Sequence, residues 1–292
     1  MTIAVYARNT RDNLPYYVEQ LELLSQQENF TIVIYKPYQE YLNNQFNQSF
    51  QFNTFSNSEE FIAQADVVIS LGGDGTMLET LEYVRTSGIS VLGVNTGRLG
   101  FLATVSKEDF CKAILLLIKE KYTIDKRELI ELINPSDCFK NVNYGLNEFS
   151  IHKQESGAMI NIDTYVDGVF LNSYFADGLI VSTPTGSTAY SLSCGGPIMV
   201  PDSDNFVLTP IAPHNLNVRP IVISNNKTIS FKVSGRSDHF NISLDSRNAI
   251  LHNNAELTVR KANFKFHLIN IEGQHFFETL RQKLYWGVDK RN

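Results

Sequence analysis

The stretch ADVVISLGGDGTMLETLEYV, residues 65–84, constrains the fold more than any other part of this chain. Residues 65–71 are short, β-branched and almost uncharged, which suits a strand buried on both faces of a parallel sheet. Gly72 and Gly73 break the run. From Met77 the apolar residues Met77, Leu78, Leu81 and Val84 recur at helical spacing, so Thr76 stands near a helix N-terminus and is placed to cap it. Strand, glycine turn and helix in that order predict an α/β layer, with the turn at the sheet edge where such folds bind ligands. Gly72, Gly73 and Gly75 let the backbone turn sharply and come close to a ligand, while the free N–H groups and dipole of a helix start favour an anion. The outline is a phosphate cradle.

Asp74 does not belong in a plain cradle. A carboxylate beside a phosphate is repulsive unless it binds a metal, holds a hydroxyl or accepts a proton. No Gly-Lys-Ser/Thr follows, so the stretch is not a Walker loop, and it lacks the third glycine of the dinucleotide fingerprint. Aspartate in a glycine-rich turn is ordinarily a turn residue or a cap. Gly-Gly-Asp-Gly-Thr between a buried strand and a helix shifts the balance toward chemistry.

The 292 residues give room for one large or two ordinary domains. No apolar run reaches membrane-spanning length, and MTIAVYARNTRD enters a strand-like segment at once instead of a signal peptide, which predicts a cytoplasmic protein. Cys111, Cys138 and Cys194 lie far apart without paired spacing, so neither a disulfide framework nor a zinc site is indicated. A formal charge of −6 without Lys/Arg clusters excludes nucleic acid and anionic membrane as expected partners. A phosphate ligand must then be met by backbone dipoles, a metal ion and a few placed arginines.

Strands are expected at 3–6 and 30–35, with a helix at 16–25 between them and Pro15 in its first turn. Residues 36–58, rich in Asn, Gln, Phe and Tyr, carry almost no periodicity and read as a surface loop or a poorly formed helix. A helix at 59–64, the strand and helix already described, and a strand at 89–94 complete a doubly wound parallel sheet. NTGRLGFL, residues 95–102, falls at the same sheet edge and reads on its own as a turn; Ser106 and Asp109 read as a capping box for a helix over 107–119.

From Tyr122 the pattern changes to short β-runs at 124–133, 145–152, 159–166, 169–175, 178–182, 221–223, 228–234, 240–244 and 256–271. Asp167-Gly168 between two of them signals a hairpin. These runs predict an all-β, sandwich-like antiparallel domain. The expected division is an α/β domain over 1–104, joined by a C-terminal helix within 275–292, and a β-sandwich over 105–274. Phe276, Phe277, Leu280 and Leu284 are expected on one face of that helix.

Inside the β-rich half, DGLIVSTPTGSTAYSLSCGGP at 177–197 repeats the plan of strand, glycine-containing loop and helix start. Six hydroxyl side chains, Ser182, Thr183, Thr185, Ser187, Thr188 and Ser191, together with free N–H groups, suit a polar ligand such as a sugar phosphate; the same residues also cap and turn. Gly186 allows close backbone approach, and Asp177 offers a carboxylate that could grip a ribose hydroxyl or serve the turn.

GGDGT at 72–76, NTGRLGFL at 95–102, NE at 147–148 and DGLIVSTPTGSTAYSLSCGGP at 177–197, in that order, resemble the NAD kinase family. The resemblance spans essentially the whole chain. Lipid kinases and 6-phosphofructokinase carry loops related to GGDGT, whereas the Thr-Pro-Thr-Gly-Ser-Thr-Ala-Tyr stretch is far more specific. The resemblance implies an α/β N-terminal domain, a β-sandwich C-terminal domain, an active site between them, and a homodimer or homotetramer. It makes Asp74 the catalytic base with Gly75 beside it, and gives Asn147 and Glu148 to the nucleoside and Asp177 to a ribose. Thr185 and the run Thr188, Ala189, Tyr190, Ser191, Leu192 and Ser193 would line the dinucleotide pocket, with Tyr190 packing on it and Phe101 on the adenosine side.

Two positions depart from the family pattern: Phe175 stands where some bacterial members have arginine, and Arg247 where some have glutamine. Arg247 is open to two readings, a phosphate contact or an exposed turn residue. The implied substrates are NAD and ATP, with Mg²⁺ or another divalent cation accompanying ATP and no direct protein ligand to the metal assigned. A lipid or sugar kinase, or a non-catalytic NAD-binding regulator, are the competing readings.

Overall fold

A computed structural model of the chain describes residues 1–8, 14–47, 49–140, 142–154, 159–271 and 275–286. The chain divides into two compact units, Met1–Lys126 with Phe266–Asn292, and Arg127–Lys265.

The first unit is built on a seven-stranded sheet. Its early strands are β1 (Thr2–Ala7), β2 (Thr31–Tyr35), β3 (Asn53–Phe55), β4 (Val67–Leu71), β5 (Ser90–Val94) and β6 (Tyr122–Arg127). The spatial order is β3-β2-β1-β4-β5, then a late strand, Phe266–Ile271, then β6. The pairs from β3 through β5 to the late strand are parallel. All five residues of β4 are buried, as its uncharged β-branched sequence requires of a central parallel strand. Its helices are α1 (Leu14–Glu28), α2 (Lys36–Phe46), α3 (Ser58–Gln64), α4 (Asp74–Val84) and α5 (Phe110–Ile118). Ile3, Val5, Leu21, Ile34, Ile69 and Ile114 belong to the shared core.

Residues 36–46 form a full helix, and 53–55 form a strand paired parallel with β2, where the sequence suggested a surface loop or a poorly formed helix. Only Tyr38 and Leu42 of α2 are buried, at i and i+4, which is too few apolar positions to show a period. The amide side chains are structural. Asn43 donates to Phe50 O and accepts from Phe50 N at 3.1 and 3.0 Å, and Gln39 accepts from Phe52 N at 3.0 Å. The Asn/Gln richness of this segment therefore supplies partners for extended backbone that has left the helix.

Ser106 Oγ accepts Asp109 N–H at 3.2 Å and donates to Asp109 Oδ2 at 2.9 Å, but the regular helix starts at Phe110, three residues later than expected, with Asp109 as its N-cap. The C-terminal helix, Phe276–Leu284, lies in this unit: Phe276 meets the Phe101 ring at 6.3 Å and Lys283 Nζ donates to Leu99 O at 2.6 Å. Its apolar face runs through Phe276, Leu280 and Leu284; Phe277, expected on that face, is 59% exposed because it is turned 100° from Phe276.

The second unit contains β7 (Ile130–Asn134), β8 (Tyr144–Gly145), β9 (Glu148–Lys153), β10 (Ile160–Val166), β11 (Val169–Ala176), β12 (Gly178–Ser182), β13 (Asn205–Ile211), β14 (Ile221–Ser224), β15 (Ile229–Gly235), β16 (His239–Leu244), β17 (Arg247–His252) and β18 (Glu256–Lys261). One sheet runs β11-β10-β15-β18-β7-β8 and the other β14-β13-β12-β9-β16-β17. All the pairings are antiparallel. Inner-face residues such as Phe149, Phe206, Phe231 and Phe240 form one core. Asp167 and Gly168 both adopt positive φ, 49° and 78°, as a two-residue hairpin turn requires.

The expected runs 124–133 and 256–271 are each two strands. Each run leaves one sheet and enters another at about its middle, so β6 and the late strand 266–271 belong to the parallel sheet while β7 and β18 belong to the sandwich. Alternation alone does not reveal the change, because side chains alternate in both sheets.

Candidate active site

In the first unit, α4 begins directly after the glycine turn, with Gly73 in extended backbone as its N-cap and Asp74 as its first residue. This position holds the Asp74 carboxylate over the loop that follows β5. Oδ2 accepts Phe101 N–H at 2.8 Å, and Oδ1 accepts Leu102 and Ala103 N–H at 2.9 and 3.0 Å. Gly100 makes this approach possible, since a Cβ there would stand 2.0 Å from Asp74 Oδ1. NTGRLGFL is thus more than the simple turn it resembles locally. It is the partner of the glycine loop, and Asp74 is the clasp between them. Gly72 lies buried at the strand end, where an added Cβ would strike the buried Thr76 hydroxyl, while Gly73 and Gly75 are exposed.

Arg8, which sequence reasoning did not select, follows the end of β1 beside this loop. Its guanidinium forms a two-pronged pair with Glu79 of α4 and donates to Gly75 O at 3.4 Å. Tyr6 OH donates to the same Glu79 carboxylate at 3.0 Å. Burial, with the Glu79 charge behind it, pushes the Tyr6 phenol well above its usual range.

In the second unit, the Asn147–Glu148 pair and the 177–197 stretch meet at the start of β9. Asn147 O accepts Thr183 N–H at 2.9 Å, and Thr183 Oγ1 donates to Leu146 O at 2.6 Å. Gly186 packs against the same peptide, with an added Cβ only 2.1 Å from Asn147 O. The close approach that Gly186 permits is therefore to Asn147, where the sequence suggested a ligand.

The hydroxyl run is also largely internal. Ser182, Thr183, Ser187 and Ser191 are wholly buried. Ser187 Oγ donates to Pro184 O at 2.7 Å and accepts Met199 N–H at 2.9 Å, and Ser191 Oγ pairs with Thr209 Oγ1 at 2.8 Å. The regular segments are a 3₁₀ turn, Thr185–Thr188, and a four-residue helix α6, Tyr190–Ser193. Thr188, Ala189 and Leu192 are half-buried, and Ser193 is exposed. Tyr190 is 40% exposed and stacks on His152, 5.8 Å between ring centroids at 19°.

Glu148 has the most unusual environment. Its side chain is buried, and Oε2 has no hydrogen-bond partner among the described residues. Burial, reinforced by the negative charge of Asp245, pushes its carboxyl up to about 8. Asp177 is paired with Lys153 Nζ at 2.6 Å, and the buried Arg127 donates from Nη1 to Thr185 Oγ1 at 3.3 Å. Neither cation carried a sequence signal: Arg127 sits beside Lys126 in the run 124–133, and Lys153 falls just past the run 145–152.

Arg247 is not the exposed turn residue of one sequence reading. It donates to the carbonyls of Val142 and Tyr144, the latter at 2.6 Å, lies 3.9 Å from Asp245, and its side chain is only 18% exposed.

Residues 5–122 match the family described as the ATP-NAD kinase N-terminal domain, and residues 146–271 match the ATP-NAD kinase C-terminal domain. The chain is 45% identical to the NAD kinase of Cytophaga hutchinsonii over 295 residues and 44% identical to that of Flavobacterium psychrophilum over 294, covering all of each protein. Its fold is similar to yeast NADH kinase complexed with NADH, with a TM-score of 0.85 at 23% identity, covering 99% of this chain and 88% of that one. It is also similar to an NAD kinase from Archaeoglobus fulgidus in complex with ATP, with a TM-score of 0.75 at 25% identity, covering 98% and 99%.

Proposed function

The chain belongs to the ATP-NAD kinase family, and we propose how its residues carry out that family's reaction, transfer of the γ-phosphoryl group of ATP to the 2′-hydroxyl of the adenosine ribose of NAD. Asp74 orients the hydroxyl and accepts its proton. The observation that supports this is the bonding of its carboxylate: three N–H groups take three of roughly four acceptor positions, leaving Oδ2 one more bond to make from a side chain that is only half-buried.

An aspartate is a weak base and a ribose hydroxyl a poor nucleophile. In a loose phosphoryl-transfer transition state the proton leaves late, so positioning precedes proton acceptance. The N–H groups of Gly73, Asp74 and Gly75 at the start of α4 meet the phosphates, while that of Thr76 is already spent on Gly73 O at 3.0 Å. Asn147 and Glu148 take the nucleoside, Asp177 a ribose hydroxyl, Phe101 the adenosine side, and Thr185 with residues 188–193 the rest of the dinucleotide.

The divalent cation enters as Mg²⁺ on ATP, part of the substrate. We take the protein to act in the cytoplasm as a homodimer or homotetramer, which sedimentation of the purified chain tests.

The reaction is tested by offering Mg-ATP or polyphosphate with NAD, NADH, diacylglycerol, sphingosine or fructose 6-phosphate. Phosphorylation of a nicotinamide dinucleotide is the expected result. Phosphorylation of a lipid or sugar alone, or NAD binding with no NADP formed under saturating ATP, overturns it.

A further inference from the structure

Asp245, in the turn between β16 and β17, repeats the Asp74 clasp inside the second unit. Its side chain is 2% exposed, Oδ2 accepts Leu146 N–H at 2.8 Å, and Oδ1 accepts the N–H groups of Asn147 and Glu148 at 2.8 and 3.2 Å. Gly145 stands to Asp245 as Gly100 stands to Asp74: a Cβ there would lie 2.9 Å from Asp245 Oδ1. Arg247 holds the same segment from its other side, through the carbonyls of Val142 and Tyr144.

We propose that Asp245 is a positioning residue of the dinucleotide site, whose three backbone bonds fix the Asn147–Glu148 pair and whose negative charge stands behind the Glu148 carboxyl. The proposal rests on the assignment of Asn147 and Glu148 to the nucleoside. A buried carboxylate bonded to three successive amides leaves that peptide segment one orientation, so both side chains are presented without an ordering cost on binding. Burial, reinforced by this charge, raises the Glu148 carboxyl and so favours its protonated form near neutrality; burial raises the Asp245 carboxyl as well, against the lowering pull of its three amide bonds and Arg247. In that form Glu148 offers an O–H donor as well as an acceptor to a ligand, and Oε2 is the atom left without a partner among the described residues.

Asp245 and Arg247 meet this segment from the β16–β17 turn, and Tyr190 and Cys194, at α6, feel the Glu148 charge. Arg127 reaches the adjoining Thr185. Among these, Asp245 is the group that raises the Glu148 carboxyl beyond what burial does.

The test compares NAD binding by calorimetry, and KM and kcat for NADP formation, across pH 6 to 10 in wild type, Asp245→Asn, Gly145→Ala and Glu148→Gln. For Asp245→Asn we expect KM and Kd for NAD to rise about tenfold, in the range of losing a hydrogen bond to a charged group, with KM for ATP unchanged. In wild type, NAD affinity falls as pH rises through the Glu148 titration; in Asp245→Asn that limb moves to lower pH, and in Glu148→Gln it is absent. Gly145→Ala displaces the carboxylate but keeps its charge, so it weakens NAD binding and leaves the limb where it was.

Wild-type NAD affinity and limb position in Asp245→Asn overturn the proposal, as does an equal loss of NAD and ATP affinity. Should Asp245→Asn fail to fold, Gly145→Ala decides, with unchanged NAD affinity as the refuting result. A wild-type protein that binds NAD but forms no NADP defeats the kinase reading alone, because calorimetry still judges the role of Asp245.

Discussion

Replacing Asp74 by asparagine separates two roles that the structure gives one side chain. The amide oxygen can keep the Leu102 and Ala103 N–H bonds, but the Phe101 N–H then faces an NH₂ group. Loss of one hydrogen bond to a charged group costs about 1.5–3 kcal/mol, and the lower end applies because Asp74 is half-buried and water can replace it. For a chain of this size each kcal/mol lowers Tm by about 2–4 °C, so the variant should melt roughly 3–6 °C lower and remain folded at 25 °C. Loss of a general base removes roughly two to four orders of magnitude in turnover, equivalent to about 3–5 kcal/mol of transition-state stabilisation. The two effects therefore differ in size, and only the first shows in a melt. NADP formation per folded molecule is the assay, with NAD affinity measured alongside. Turnover within tenfold of wild type in a folded Asp74→Asn would reduce Asp74 to a loop clasp and refute the catalytic reading.

Gly100→Ala keeps the Asp74 carboxylate but drives a methyl group into it, so it should lower both Tm and NADP formation, with NAD affinity weakened less than turnover because only Phe101 of the NAD contacts lies in the displaced loop. Gly186→Ala drives its Cβ into the Asn147 carbonyl, and should weaken NAD binding and stability together, read by calorimetry and thermal melting. Glu148→Gln should change how stability depends on pH: the folded carboxyl is raised to about 8, so the folded protein keeps a proton that the unfolded chain releases. Wild type then loses stability as pH rises from the ordinary carboxylate range to about 8, and the variant loses less, keeping only the share of other raised carboxyls such as Asp245, as urea unfolding at pH 5 and pH 9 will show. Asn43→Ala should cost about 1–2 kcal/mol in urea unfolding, because it leaves both Phe50 backbone groups without their protein partner.

The parts of the fold that were legible in the sequence are those in which a single local rule decides. β4 is five buried residues in a row, so burial alone decides it, whereas α4, expected from Met77 with Thr76 as cap, begins at Asp74 with Gly73 as its N-cap and takes Gly75 into its first turn. Asp167-Gly168 must turn as it does because both residues need positive φ. The segment 36–58 was opaque because its order depends on Gln39 and Asn43 bonding to backbone up to 13 residues away. No periodicity records such bonds. The two chain crossings near 127 and 265 were hidden for a different reason, since a strand that changes sheets keeps its alternation.

The hydroxyl run 182–191 shows the limit of arguing from residue type. Ser and Thr serve ligands and backbone with the same atoms, and here Thr183 and Ser187 spend theirs on Leu146, Pro184 and Met199. The run binds the loop to Asn147 first, so its contribution to any ligand passes largely through the geometry it imposes on the Asn147–Glu148 pair.

Asp74 and Asp245 then form an internal comparison. Each carboxylate holds three successive amides, and each needs a glycine just before those amides to come close enough. Backbone geometry therefore does not distinguish a catalytic aspartate from a structural one. Exposure and neighbours do. Asp245 has a 2% exposed side chain with Arg247 alongside, so its remaining acceptor capacity faces protein, whereas Asp74 is half-exposed at a helix start whose first-turn N–H groups favour anions. The clasp also bears on reactivity at Asp74: both oxygens are fixed before substrate arrives, so little reorganisation is needed when the hydroxyl proton is transferred. The three amide bonds are thus compatible with catalysis and supply the preorganisation it requires.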